Sequence, residues 1–172
     1  MPLQVEISAA EFSQQERNYL NSMQDIQSYE IRPPFPQHPL VGALAEGLHW
    51  FEGYEPNHVS VHRYRSSELG ITPHYDEKKY GILIAALTIK GSADFSIVED
   101  PDPDRALPSC EVISARQAAP VLRTWETTPG DLILMRAPGF AGSADGRPLH
   151  QISGGKEGHR TALVFRMDTQ AR

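Results

Sequence analysis

Between His58 and Asp168 the chain is cut into runs that suit strands and are too short to suit helices. "HVSVHRYR" (58–65) and "ADFSIVE" (93–99) alternate apolar and polar residues, whereas "GILIAALTI" (81–89) is a continuous apolar run of the kind buried on both faces. "CEVIS" (110–114), "APVLRTW" (119–125), "LILMRA" (132–137), "LHQIS" (149–153) and "RTALVFRMD" (160–168) continue the series. Between them lie the turn-forming stretches "DPDPDRALP", "TPGD", "PGFAGSADGRP" and "GGKEGH". Upstream the period changes. Ser8 with Glu11 reads as a capping box, and Phe12, Tyr19, Met23 and Ile26 recur at helical spacing through residues 9–29. "RPPFPQHP" must end that helix, and "LVGALAEGLHWF" (40–51) predicts a second, short one. Helices first and many short strands afterwards predict an α+β chain built on an antiparallel sandwich or barrel. At 172 residues we expect one domain, 1–172, with helical support over about 1–56 and a β-core over about 57–169.

Bulk properties narrow the function classes. A hydrophobic fraction of 40% is ordinary for a folded globular chain. The sequence holds no apolar run near the roughly 18 residues a bilayer span requires, and its first residues carry neither a basic nor an apolar leader segment. A cytoplasmic protein with no membrane partner is the expectation. Cys110 is the single cysteine, so an internal disulfide and a cysteine-rich zinc cage are both excluded. The net charge of −6 argues against a nucleic-acid partner, since phosphate binding draws on a basic face and "HRYR" and "KK" are the longest cationic clusters. Oligomeric state leaves no mark in the sequence.

The chemistry-bearing residues start with "HYD". His74 and Asp76 stand two apart, so on an extended backbone both point to one face and can converge on one ion. Taken alone the pair is weak, because chance supplies about 0.4 such pairs in a chain of this composition. A third ligand is needed, and the candidates are His150, inside an alternating segment, and His159, in a glycine-rich turn. Two histidines and one carboxylate on one side of a metal leave open positions, the arrangement of non-haem Fe(II) oxygenases. Such a centre needs an electron-donating co-substrate, and a dicarboxylate co-substrate needs a cation in the same cavity. "RTALVFR" supplies it: Arg160, Ala162, Val164 and Arg166 share one face of a strand whose other face, Thr161, Leu163 and Phe165, is mostly apolar. Two interior arginines call for an anionic partner, and arginine's planar fork suits a carboxylate.

With these residues assembled, the chain resembles the Fe(II)/2-oxoglutarate-dependent dioxygenases, and within them the AlkB-like branch. The resemblance covers about residues 58 to 168. "HRYRSSELGITPHYD" is similar to the branch's Asn-x-Tyr followed by His-x-Asp, and "LTIKGSADFSI" to its strand pair around a Gly-x-x-x-Phe turn. "PGDLILM" is similar to its Gly-Asp-apolar strand and "RTALVFR" to its Arg-x5-Arg signature. The resemblance implies a double-stranded β-helix (a jelly-roll, cupin-like core) with the N-terminal helices packed on one sheet. It implies Fe(II) held by His74, Asp76 and His150, with 2-oxoglutarate and O2 as co-substrates. Arg160 would take the distal carboxylate of 2-oxoglutarate with help from Tyr64, and Arg166 would steady Asp76 or the 1-carboxylate. The implied reaction releases succinate and CO2 while a substrate is oxidised. His62 stands where the branch has asparagine, a departure that leaves its co-substrate contact open. The residues before 57 offer no basic, aromatic-rich lid of the kind base-flipping repair uses. A small-molecule substrate, an amino acid or natural-product precursor, is therefore the first expectation, with Tyr80 and Arg136 on the substrate side. Oxidative dealkylation of nucleic acid or protein, and a metal- or ligand-binding barrel without turnover, are the alternatives.

Overall fold

The computed structural model describes residues 26–31, 39–48, 50–51, 53–64, 70–101, 118–156 and 158–171. Nine strands and one α-helix follow one another along them: β1 (Ile26–Ile31), α1 (Pro39–Leu48), β2 (His58–Tyr64), β3 (Ile71–His74), β4 (Tyr80–Lys90), β5 (Ala93–Val98), β6 (Val121–Thr127), β7 (Leu132–Arg136), β8 (His150–Ile152) and β9 (Arg160–Asp168). A short 3-10 turn, Phe140–Gly142, lies between β7 and β8.

The strands form two sheets, one ordered β1-β2-β9-β4-β7 and the other β3-β8-β5-β6. Every pairing between them is antiparallel. Leaving β1 aside, successive strands from β2 to β9 cross between the sheets at every step except the β5–β6 hairpin, the order that defines an eight-stranded jelly roll, also called a double-stranded β-helix. This is the architecture the motifs implied.

Alternation along the strands explains why the larger sheet is covered on both faces. Val59, Val61, Leu83, Ala85, Leu163 and Phe165 point outward and pack under Ala45 and Leu48 of α1 and under Tyr54. Ile84, Ala86 and Val164, their neighbours in sequence, point the other way and meet Phe95 of the smaller sheet and Met135 of β7. That double burial is why β4 reads as an unbroken apolar run instead of an alternating one.

The inner face of the larger sheet is not uniformly apolar. On β2 the residues opposite Val59 and Val61 are His58, Ser60, His62 and Tyr64, and β9 adds Arg160 and Arg166. Arg160 is 1% exposed and Arg166 is 7% exposed. The barrel interior therefore has an apolar half around β4, β5 and β7 and a polar half around β2 and β9.

One expectation is corrected at the N-terminus. Residues 26–29, read from their spacing as the end of a helix, belong to β1, which pairs with β2 from Ile26 opposite Tyr64 to Ile31 opposite Val59. Pairing with the otherwise open edge of β2 satisfies the backbone of this segment, and tertiary context of this kind overrides local propensity. The rest of that predicted helix, its capping box included, lies outside the described residues. So do "CEVIS" and Cys110. The second predicted helix is α1, so the architecture is mainly β with a single helix on the outer face among the described residues. No helix among them is long and apolar enough to cross a membrane.

Glycine substitutions separate backbone strain from helix propensity here. Gly91 turns the chain from β4 into β5 at φ 69, and a Cβ there would run into the carbonyl of His159. Gly91→Ala should lower stability by more than the about 1–2 kcal/mol of left-handed strain alone. Gly47 sits on the exposed side of α1 with open space around it, so Gly47→Ala should raise stability by about 0.5–1 kcal/mol. Urea unfolding of both variants checks the two signs.

Candidate metal centre

The register of β3 against β8 sets His74 directly opposite His150, so both imidazoles leave the same face of the smaller sheet. Their ring centroids are 4.3 Å apart. Asp76 follows two residues after β3 ends, with its Oδ2 3.6 Å from His150 Nε2. One ligating atom from each of His74, Asp76 and His150 lies within 4.8 Å of the others. His159, the other candidate, is exposed on the turn before β9.

The two imidazoles are oriented for ligation. His74 Nδ1 lies 2.8 Å from the carbonyl of Thr72, and His150 Nδ1 lies 3.1 Å from the carbonyl of Pro148. A carbonyl can only accept, so each Nδ1 carries the proton and each Nε2 keeps its lone pair free for a metal. Burial and then the neighbouring His150 hold the His74 pKa down to about 4, so its ring is neutral at pH 7. Burial pushes Asp76 upward, but the Arg166 guanidinium and the histidines outweigh it and bring its pKa to about 2. Two imidazoles presenting Nε2 and one carboxylate are a donor set that a divalent transition metal fits.

Arg166 supports the carboxylate. Its Nη2 lies 3.4 Å from Asp76 Oδ1, its Nη1 donates to Ser60 Oγ at 2.6 Å, and its guanidinium stands 4.9 Å over the ring of Tyr80. These contacts set Arg166 beside Asp76.

At the other end of the same strand face Arg160 is in a different condition. Its Nη2 donates to Thr88 Oγ1 at 2.8 Å, while Nε and Nη1 are buried and have no hydrogen-bond acceptor among the described residues. The guanidinium lies 5.1 Å over the ring of Tyr64. Burial raises the Tyr64 pKa to about 12, so its hydroxyl stays protonated and able to donate. His62 links the two arginines: Nε2 is 2.9 Å from Ser60 Oγ and Nδ1 is 3.4 Å from the Tyr64 hydroxyl. Burial, followed by Arg166, drives the His62 pKa well below its ordinary value. It is therefore a neutral hydrogen-bonding residue in this structure.

The two substrate-side candidates separate. Tyr80 is 4% exposed and packs in the interior core against Arg166 and the ring of His58. Arg136 lies on the exposed edge strand β7 and lines a cavity of about 500 Å³ with Phe95, Ile97, Trp125 and Met135. Phe95 also stacks on His150 at 5.5 Å, so one ring separates that cavity from the cluster.

Sequence reasoning missed Ser60, Thr88, Phe95 and Arg147. Ser60 carried a usable signal: with His62 and Tyr64 it makes a polar row on a strand whose other face holds Val59 and Val61, a pattern meaning a polar interior when both faces are covered. Thr88 is an ordinary strand residue until the register is known, and Phe95, noted only as the phenylalanine of the Gly-x-x-x-Phe turn, gave no sign of its contact with His150.

No protein-family model matches this sequence, and no curated protein matches it. Among solved structures it is similar to the 7S globulin of Momordica charantia, with 12% identity, a TM-score of 0.49 and coverage of 94% of this chain and 33% of that one. It is similar to the Cnp3 cupin domain of Schizosaccharomyces pombe, with 8% identity, a TM-score of 0.37 and coverage of 87% and 66%. It is also similar to the polyketide cyclase RemF of Streptomyces resistomycificus, with 14% identity, a TM-score of 0.38 and coverage of 86% and 70%. The chain spans about a third of the length of the globulin it matches. Likeness at this level carries no weight in assigning a function, and the jelly-roll assignment rests on the strand orders of the two sheets.

Two stability experiments follow from the electrostatics. A free imidazole protonates near pH 6.5 while folded His74 resists until about 4, so the unfolded chain binds more protons in that window. Stability of the metal-free protein should therefore fall as pH drops from about 6.5 to 4, and His74→Gln should flatten this part of the profile of urea midpoints. Arg160→Met should leave the metal-free protein as stable or more stable, because the guanidinium is buried without a counter-charge among the described residues. A loss of about 1 kcal/mol or more in the same assay would mean that Arg160 is a structural tie.

Proposed function

We propose that this chain is an Fe(II)- and 2-oxoglutarate-dependent oxygenase acting on a small molecule, with its motifs closest to the AlkB-like branch. The observation that carries the reading is Arg160, a buried guanidinium with unused donors in the same interior as a His-Asp-His cluster. A bare metal-binding barrel has no need of a buried cation, whereas a dicarboxylate co-substrate does.

His74, Asp76 and His150 would hold the metal through two Nε2 atoms and one carboxylate. Bound Fe(II), with O2, would supply the oxidation: one oxygen atom goes to the substrate, the other to 2-oxoglutarate as it becomes succinate and CO2. Arg160 would receive the distal carboxylate on Nε and Nη1, and the Tyr64 hydroxyl would donate to the same anion. Arg166 keeps Asp76 ionised and anchored. His62, neutral and tied to Ser60 and Tyr64, would hold the Tyr64 hydroxyl in place while adding no charge beside the anion.

A small-molecule substrate is supported by the cavity one ring away from His150 and by the chain's net charge of −6, which disfavours a polyphosphate partner.

Anaerobic addition of Fe(II) and 2-oxoglutarate should produce the weak visible charge-transfer band of the chelate. Arg160→Ala should weaken 2-oxoglutarate binding at least tenfold more than Fe(II) binding, and His150→Ala should abolish metal binding. Metal binding without any 2-oxoglutarate band or succinate would sink the oxygenase reading and leave a metal-binding barrel.

A further inference from the structure

Asp76 is the ligand that regular structure does least to place. β3 stops at His74, and residues 75–79 belong to no helix or strand. His150, by contrast, opens β8 and is paired on both sides, with His74 and with Ile97. Something must hold the Asp76 segment at the right distance from β8.

Arg147, three residues before His150, does so. Its Nε and Nη2 donate to the two carboxylate oxygens of Asp145 at 2.9 and 2.7 Å, and its Nη1 donates to the main-chain carbonyl of Asp76. Its guanidinium lies 5.2 Å over the ring of Tyr75, whose hydroxyl donates to Asp100 at 2.7 Å. The Arg147 side chain is only 11% exposed. The segment leading into His150 thus grips both the residue before Asp76 and Asp76 itself. Bidentate pairing with Asp145 sets the plane of the guanidinium, so its third donor group has one direction left, toward Asp76.

We propose that Arg147 is a positioning residue that sets the separation of Asp76 from His150 and so tunes metal affinity and ligand geometry. The inference rests on reading His74, Asp76 and His150 as a metal site. Arg147 touches no ligand side chain in this network; it acts through the backbone of Asp76. Lysine cannot replace it, because a point charge cannot hold Asp145 bidentately, stack on Tyr75 and reach the carbonyl together.

The test is Co(II) titration of the full chain, followed by visible absorption, with unfolding of the metal-free proteins measured in parallel. Arg147→Ala should weaken Co(II) binding by about tenfold or more, the scale seen when a residue orienting a ligand is lost, and should shift the Co(II) absorption bands. Arg147→Lys should fail to restore either. Asp145→Asn, which loosens the guanidinium without removing it, should give a smaller loss in the same direction, and it decides the matter if Arg147→Ala does not fold. Wild-type affinity and spectrum in Arg147→Ala, or in Asp145→Asn where that variant decides, would overturn this inference alone; full rescue by lysine would overturn it too. A wild-type chain that binds no Co(II) would overturn the metal reading and this inference with it.

Discussion

The pairing of β3 with β8 is the contact on which the site depends. Side chains alternate across a strand, so a slip of one residue in either partner would turn one imidazole away from the other. Strands of four and three residues cannot enforce that register by themselves. They hold it because β8 also pairs with β5, where Ile97 stands opposite His150 and Phe95 opposite Ile152, and because β5 is a continuous part of the smaller sheet. The Phe95 ring then fixes the His150 plane from the side while the Pro148 carbonyl fixes its tautomer. Ligand orientation is thus a product of sheet register, with short-range hydrogen bonds making the final selection.

The interior divides its labour. On the apolar half, Ile84, Ala86, Val164, Phe95 and Met135 bury hydrocarbon between the sheets, and α1 covers a second apolar layer outside. That double layer stabilises the barrel enough to carry a polar half where two arginines, two histidines, a serine and a tyrosine are withdrawn from water. Arg166 has an ionic partner in Asp76; Arg160 meets only the neutral groups of Thr88 and Tyr64 among the described residues. Buried charge without a counter-charge opposes folding, and proteins retain it chiefly where a ligand supplies the missing partner. The asymmetry between the two arginines of one strand face is the physical basis for assigning them different work.

Much of this was legible before any coordinates. The strand-like segments within the described residues are strands, because two-residue alternation and apolar runs follow directly from which faces are buried. "HYD", the later histidine and the paired arginines could be singled out because their residue types and spacing are costly to bury without a use. The helix expected to run through residue 29 failed at its end because its periodicity is local evidence, while β1 exists through a partner some thirty residues on. Arg147 escaped notice for a similar reason: in sequence it is one arginine in a polar loop, and only the packing of that loop against residues 75–76 gives it a role.

The amino-acid order by itself determined the strand-rich class and marked out the residues of a candidate metal site, since alternation and residue type are local properties of the chain. The tertiary structure alone supplied the register that sets His74 opposite His150, the approach of Arg166 to Asp76, and the Arg147 contact that steadies the Asp76 segment. Those outcomes depend on sheet register and loop packing between residues as much as ninety positions apart in the chain, as Asp76 and Arg166 are, and no local pattern records them.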